Sequence, residues 1–191
     1  MNQLFGKFKS SLVLHTLFFV VLMQASTLIQ AQQQCHEPLT RPDNRYEVVA
    51  GTQGGEVKDT VTGYIWQRCL VGMNWNGVTC EGSPSQMTYD ALVDVAANMP
   101  RTTASPQTPW RIPDMYQLGS LLESSCVSPA INLRIFPSTP PVLMISGTVV
   151  PNNPTSPLWG INFRQTFGGG WTQGTIARRD IYPARLIRYS R

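Results

Sequence analysis

Four cysteines constrain this chain more than any other feature. Cys35, Cys69, Cys80 and Cys126 all follow an N-terminal stretch in which Lys7 and Lys9 precede a largely apolar run from Leu12 to Leu28 and the small residue Ala31. That order is the pattern of a secretory signal peptide, so residues 1–31 are expected to be cut away and the remainder exported. A membrane anchor is the competing reading, but His15, Gln24 and Ser26 interrupt the run and nothing later resembles a stop-transfer segment. Gln32, Gln33 and Gln34 before Cys35 provide no lipobox. An even cysteine count behind a leader points to disulfides, with three pairings open. Asn76-Gly77 is a tight-turn pair that favours Cys69 with Cys80. Cys35 is then left with Cys126, which ties a polar tether of residues 32–45 to the end of a central helix. A short bridged loop of this kind contributes on the order of 3 kcal/mol. Zinc is the weaker use of these thiols, because no C-x-x-C pair occurs and His36 is the one histidine beyond the leader.

The 191 residues less 31 leave enough chain for one ordinary domain, expected over residues 46–191. The 15 basic residues lose Lys7 and Lys9, so 13 stand against 11 acids and the exported charge is only +2. Nucleic acid is a poor partner for such a balance. Arg164, Arg178, Arg179, Arg185, Arg188 and Arg191 nevertheless crowd the last part of the chain with only Asp180 against them, which predicts a locally positive surface.

Alternation predicts strands over 46–50 and 64–69, with Gly51 and Gly54-Gly55 turning the chain between the first and Glu56-Val57-Lys58-Asp59. Trp66 at the centre of the second strand is expected in the core rather than as a sugar platform. Residues 88–99 read as an amphipathic helix, with Thr88 available as cap and Leu92, Val95, Ala96 and Met99 on one face. A second helix begins after Trp110-Arg111-Ile112-Pro113. Pro113 holds Ile112 extended, Asp114 serves as N-cap, and Gln117 completes a capping box. Strands follow at 142–146, 158–163 and 184–188, the last starting at Pro183 or lying at an edge, with its arginines expected in solvent. Gly168-Gly169-Gly170 lacks a phosphate-loop lysine and reads as a hairpin tip.

Together, Asp59-x-x-Thr62-Gly63-Tyr64-Ile65-Trp66-Gln67-Arg68-Cys69, Trp75-Asn76-Gly77, Cys80-x-Gly82, Trp110-Arg111-Ile112-Pro113, Pro129-Ala130-Ile131-Asn132, Phe136-Pro137 and Arg185-Leu186-Ile187-Arg188 resemble the Lcl C-terminal domain family of secreted bacterial domains. The resemblance covers roughly residues 45–188. It implies an α+β, C-type-lectin-like single domain, with two helices packed on a twisted antiparallel sheet and disulfide staples; the signature is similar to that of formylglycine-generating-enzyme-like domains. The family usually has Glu where this chain has Gln117, and tends to carry Trp-Ser-Ser where this chain has Met144-Ile145-Ser146-Gly147.

The resemblance implies a non-catalytic, adhesin-like module at the periplasm, outer cell surface or exterior, recognising an extracellular glycan, sulfated polysaccharide included, or a surface protein. A polyanion needs arginines converging beside an aromatic platform, and Trp159, Arg164, Trp171, Arg178 and Arg179 form the available set. Trp66, Trp110, Arg111, Pro113, Asp114 and Gln117 are assigned to scaffold. Two alternatives stand beside this reading. A structural component of a surface appendage or periplasmic complex, with or without self-association, would use an exposed edge near Pro183. An enzyme of the formylglycine-generating type would need free thiols, whereas disulfides use all four; Asp90 and Asp94 at i, i+4 read as a wet helix face. No cofactor is expected. Asn152-Asn153 leaves calcium open without forming a site.

Overall fold

The computed structural model describes residues 32–100, 108–153, 155–164 and 173–189. The elements run β1 (Gln34–Cys35), a 3-10 turn (Asp43–Arg45), β2 (Tyr46–Val48), β3 (Glu56–Asp59), β4 (Tyr64–Gln67), β5 (Asn74–Trp75) and β6 (Cys80–Glu81). Then come α1 (Tyr89–Asn98), α2 (Met115–Gly119), β7 (Cys126–Val127), β8 (Leu143–Val149), β9 (Leu158–Asn162), β10 (Gln173–Ile176) and β11 (Ile187–Tyr189). A mixed helix-and-sheet fold results, with every strand pair antiparallel: a four-stranded sheet ordered β11-β4-β3-β2, a three-stranded sheet β10-β9-β8, and two short ribbons, β1-β7 and β5-β6.

Side chains alternate across the sheets, so each strand feeds two cores. Trp66, Ile161, Met144 and Ile187 join Leu118, Leu121, Leu122 and Phe136 on one side. Their chain neighbours Ile65, Ile145 and Leu186 join Leu92, Ala96, Trp110 and Ile112 on the other. The two helices accordingly pack into different cores, α2 into the first and α1 into the second. Amphipathic spacing identifies a buried stripe but not which side of a sheet will bury it.

The helix starts follow the local chemistry expected of them. Thr88 Oγ1 accepts from Ala91 N at 3.4 Å at the head of α1. Asp114 Oδ1 accepts from Gln117 N at 2.8 Å, and Gln117 Oε1 accepts from Asp114 N at 3.0 Å, a reciprocal capping box. A bulge in β8 holds this start in place: Gly147 N donates to Pro113 O at 2.8 Å and Met115 N donates to Thr148 Oγ1 at 2.8 Å. Helix α2 is only five residues long, and turns carry the chain on through Leu122.

The closing segment departs most from expectation. Its arginines are not in solvent: Arg185 and Arg188 are 0% and 1% exposed. Regular pairing is confined to β11, while residues 184–186 run extended, the carbonyls of Ala184 and Leu186 accepting from Val71 N and Gln67 N. Nor is Pro183 at an open edge, since its carbonyl accepts from Ile145 N at 3.2 Å. On the far side of β11, Arg111 and Ile187 exchange both backbone hydrogen bonds at 3.0 Å. The strand thus lies between β4 and the Trp110–Ile112 segment.

Residues 32–45, expected as a tether, are a docked strap. Both predicted disulfides form, Cys35–Cys126 across 91 residues and Cys69–Cys80 across 11. Beside the first, Gln33 Nε2 donates to the carbonyls of Pro129 and Ile131 at 2.7 and 2.6 Å. The buried Glu123 carboxylate accepts from Thr40 N, Thr40 Oγ1, Arg41 N and Ser125 N within 2.5–2.9 Å. Burial alone would raise its pKa; these hydrogen bonds outweigh burial and hold it below the usual carboxylate range. Asp59, gripped by Arg45 at 2.8 and 2.5 Å, is held down in the same way against its own burial.

Both carboxylates consequently stabilise the native state fully above the unfolded-state value near about 4 and lose that contribution as pH falls through their lower native values. The melting temperature is expected to drop steeply below about pH 4, and Glu123→Gln should lower it at neutral pH while flattening the acid slope. A melting-temperature profile of unchanged slope in that variant contradicts the docking of the strap.

Candidate functional site

Arginines in this protein are mostly packing groups. Arg45 lies over Tyr46, Arg68 over Trp75, Arg111 over Tyr189, Arg178 over Tyr89, Arg185 over Phe136 and Arg188 over Trp110, with guanidinium carbons 4.0–5.8 Å from the ring centroids. Arg188 also grips the buried Glu56 carboxylate through Nε at 3.1 Å and through Nη2. Among the described residues Arg185 meets no carboxylate and donates instead to the carbonyls of Gln67 and Arg68 and to Thr139 Oγ1. Burial pushes its guanidinium down to about 9.

The structure does not gather the residues proposed for a polyanion face. Trp159 is half-buried against the first core, its carbonyl accepting from Ser146 Oγ at 2.7 Å. Trp171 lies outside the described residues. Arg164 follows the Asn162 end of β9, with Nε directed at Pro141 O at 3.4 Å. Arg178 and Arg179 follow Ile176, which pairs with Leu158 at the other end of β9. A five-residue strand spans about 13 Å, so these cations sit at opposite ends of the hairpin. Arg178 faces Asp90 at 3.7 Å, and Asp90 is well exposed. With Asp180 next to Arg179, this corner holds two arginines and two aspartates. Asp94 is exposed, as its wet-face reading required.

Of the residues assigned to scaffold, Trp66, Trp110, Pro113 and Gln117 are buried, and Gln117 Nε2 donates to Tyr189 Oη at 3.1 Å. Arg111 stacks on Tyr189 at 4.0 Å, with Nε and Nη2 buried and unpartnered. In the loop with Asn152-Asn153, Asn153 Oδ1 accepts from Thr155 N and Oγ1. Among the described residues no three His, Cys, Asp or Glu side chains converge as a metal site would require.

What the fold does build is a cleft of about 230 Å3 between the end of β4, the Cys69–Cys80 hairpin and Met99 at the end of α1. Its floor is Leu70 and Val71; Met73 and Met99 flank it, and Glu56, Gln67, Asn74 and Thr52 supply polar groups. Trp75 forms one wall and is itself fixed: its indole Nε1 donates to Gln53 O at 3.0 Å and Arg68 covers its ring at 4.1 Å. Gly54 packs against that indole with φ at +85°, a left-handed backbone conformation that favours glycine. Glu56 and Gln67 are directly opposed partners of β3 and β4 and project from the same face, with Cβ atoms about 5 Å apart. Sequence reasoning passed over this pair. The available signal was polar residues at Glu56 and Gln67 on the strand positions that alternate with the core residues Val57 and Trp66. A second hollow, around Pro38, Asp43 and Arg134, is lined by charges that satisfy one another, Arg134 lying 3.3 Å from Asp43 and 3.9 Å from Glu37.

The model of the Lcl C-terminal domain family matches residues 55–188, which contain every lining residue of the cleft but Thr52, both helices and the buried closing segment. No curated protein and no solved structure matches the chain.

Truncating Arg188 strands the Glu56 carboxylate in the interior. Arg188→Met is expected to lower unfolding free energy by about 3–5 kcal/mol in urea titrations, and the double change Glu56→Met/Arg188→Met to restore much of it. Equal stability of Arg188→Met and the native protein would contradict the pair's role in seating β11.

Proposed function

The chain belongs to the Lcl C-terminal domain family, and from that premise we propose that it is an exported, non-catalytic binding module that recognises an extracellular glycan through the cleft beside the Cys69–Cys80 hairpin. The observation carrying this reading is the cleft's make-up: apolar residues beside amide, carboxylate and hydroxyl groups at the ends of the inner strands β3 and β4. Sugars present that same division, with C–H faces and hydroxyl rims. Two disulfides within the described residues suit an oxidising compartment outside the cytoplasm. No described helix is long and apolar enough to cross a membrane.

Enzyme chemistry of the formylglycine-generating type has less support, since every cysteine is in a disulfide. The polyanion version of glycan binding is likewise weakened by the dispersal of Arg164, Arg178 and Arg179. A structural role remains the second reading, though its exposed edge near Pro183 is occupied by Ile145 N.

A glycan array probed with the protein at low and high salt separates these readings. Binding to a defined set of glycans that persists in high salt and is unchanged by Arg178→Ala/Arg179→Ala is expected, because contact at the cleft is short-range and uncharged overall. Retention only on sulfated glycans, abolished by salt and by those two substitutions, would move the site to the arginine corner. Silence on every glycan would contradict the reading.

A further inference from the structure

The cleft holds a more specific device than a generic sugar pocket. Glu56 is 6% exposed, and both hydrogen bonds it accepts from Arg188 fall on Oε2. Oε1 takes no hydrogen bond among the described residues, and Glu56 is one of the residues that line the cleft. Directly across the ladder, Gln67 Nε2 donates only to Met99 Sδ, at 3.1 Å, and a thioether is a weak acceptor. Its Oε1 likewise takes no hydrogen bond among the described residues. Two neighbouring strands therefore bring to the lining of one cleft two side chains with three under-used hydrogen-bonding atoms: a carboxylate oxygen, an amide oxygen and an amide N–H.

We infer that this pair is a subsite for the vicinal diol of a single neutral pyranose, gripped between Glu56 Oε1 and the Gln67 side-chain amide. This deepens the glycan reading and rests on it. One hydroxyl donates to Glu56 Oε1. The adjacent hydroxyl donates to Gln67 Oε1 and accepts from Nε2, which exchanges its sulfur contact for a stronger oxygen one. Opposed positions on antiparallel strands stand about 5 Å apart at Cβ, a spacing that lets both side chains reach the two oxygens of one diol. The ring's C–H face then lies on the floor of Leu70 and Val71, with Met73 alongside.

Charge and size narrow the ligand further. The Glu56 carboxylate already has a guanidinium at hydrogen-bonding distance, so the pair is neutral as a unit and gives little attraction to an incoming ammonium or guanidinium. An anion finds no cationic side chain among the residues that line the cleft. At about 230 Å3 the cleft falls below the roughly 300–1,000 Å3 of sites for drug-sized ligands, which limits it to one ring of a longer chain. Glu56 is held in position by Arg188, and Gln67 by its backbone, whose N–H donates to Leu186 O at 3.2 Å. The diol-binding atoms are therefore preorganised by the same buried strand that closes the fold.

The test is an NMR titration of the intact protein, following the methionine methyls and the Gln67 side-chain amide. The probes are the methyl glycosides of mannose, galactose and glucose, their monodeoxy analogues, and agmatine as a cationic control. At least one glycoside should shift Met73, Met99 and the Gln67 amide saturably in the millimolar range. Removing either hydroxyl of the recognised diol should weaken binding tenfold or more. Gln67→Met, close in volume, should retain the melting temperature and lose the shifts. Glycosides that leave these signals unmoved, deoxy analogues that bind equally well, undiminished binding by Gln67→Met, or shifts caused by agmatine alone each overturn the proposal. If any of these occurs while the array still reports glycan binding, the diol assignment fails and the glycan reading stands; a silent array removes both.

Discussion

Two guanidinium groups carried into the interior by the closing segment organise much of what surrounds them. Arg188 reaches through the Trp110 side of the four-stranded sheet to Glu56 on β3, joining the last strand to one of the first. Arg185, two strand positions from Ile187 in the other direction, ties itself to the carbonyls of Gln67 and Arg68 and to Thr139. Leaving either charge unpaired in the core would cost several kcal/mol, so the segments bearing those acceptors have little freedom to lie elsewhere. Glu56 and Gln67, which receive these guanidinium groups, also line the cleft, which ties its geometry to the seating of the closing segment.

Some of this architecture was written in local sequence. Asp114 and Gln117 sit three apart behind a proline, and the capping box they form needs nothing from the rest of the chain. Asn76-Gly77 between Cys69 and Cys80 is equally local, as is the Thr88 cap. Information of longer range was not legible. Arg-Leu-Ile-Arg reads the same whether its arginines face water or carboxylates, because the deciding partner, Glu56, is 132 residues away. Glu123 looks like a surface acid after two leucines, and the return of Thr40 and Arg41 across more than 80 residues adds donors that no local pattern announces. The opposite placement of the helices likewise depends on which way each sheet face turns.

The candidate site follows the same division. A search for arginines beside tryptophans used composition, and it selected residues that the β9–β10 register holds apart. The tryptophan that does border a cleft, Trp75, is enclosed by Arg68 and by a turn that favours glycine at Gly54. Ligand-directed groups instead come from a cross-strand pair, Glu56 and Gln67, whose register is set by the core residues Val57 and Trp66 beside them. On the proposed glycan reading, shape and hydrogen bonding, rather than net charge, would be the means of recognition, in keeping with an expected exported charge of only +2.

The account makes the closing segment part of the structural centre. Native-state hydrogen exchange measures this directly at the amides of Gln67, Val71, Arg111 and Ile187, whose hydrogen bonds run to or from residues 184–187. They are predicted to exchange only through global unfolding, with the same denaturant dependence as the amides of the first core. Exchange at the rate of the exposed turns, independent of denaturant, would show the closing segment to be peripheral and contradict the account.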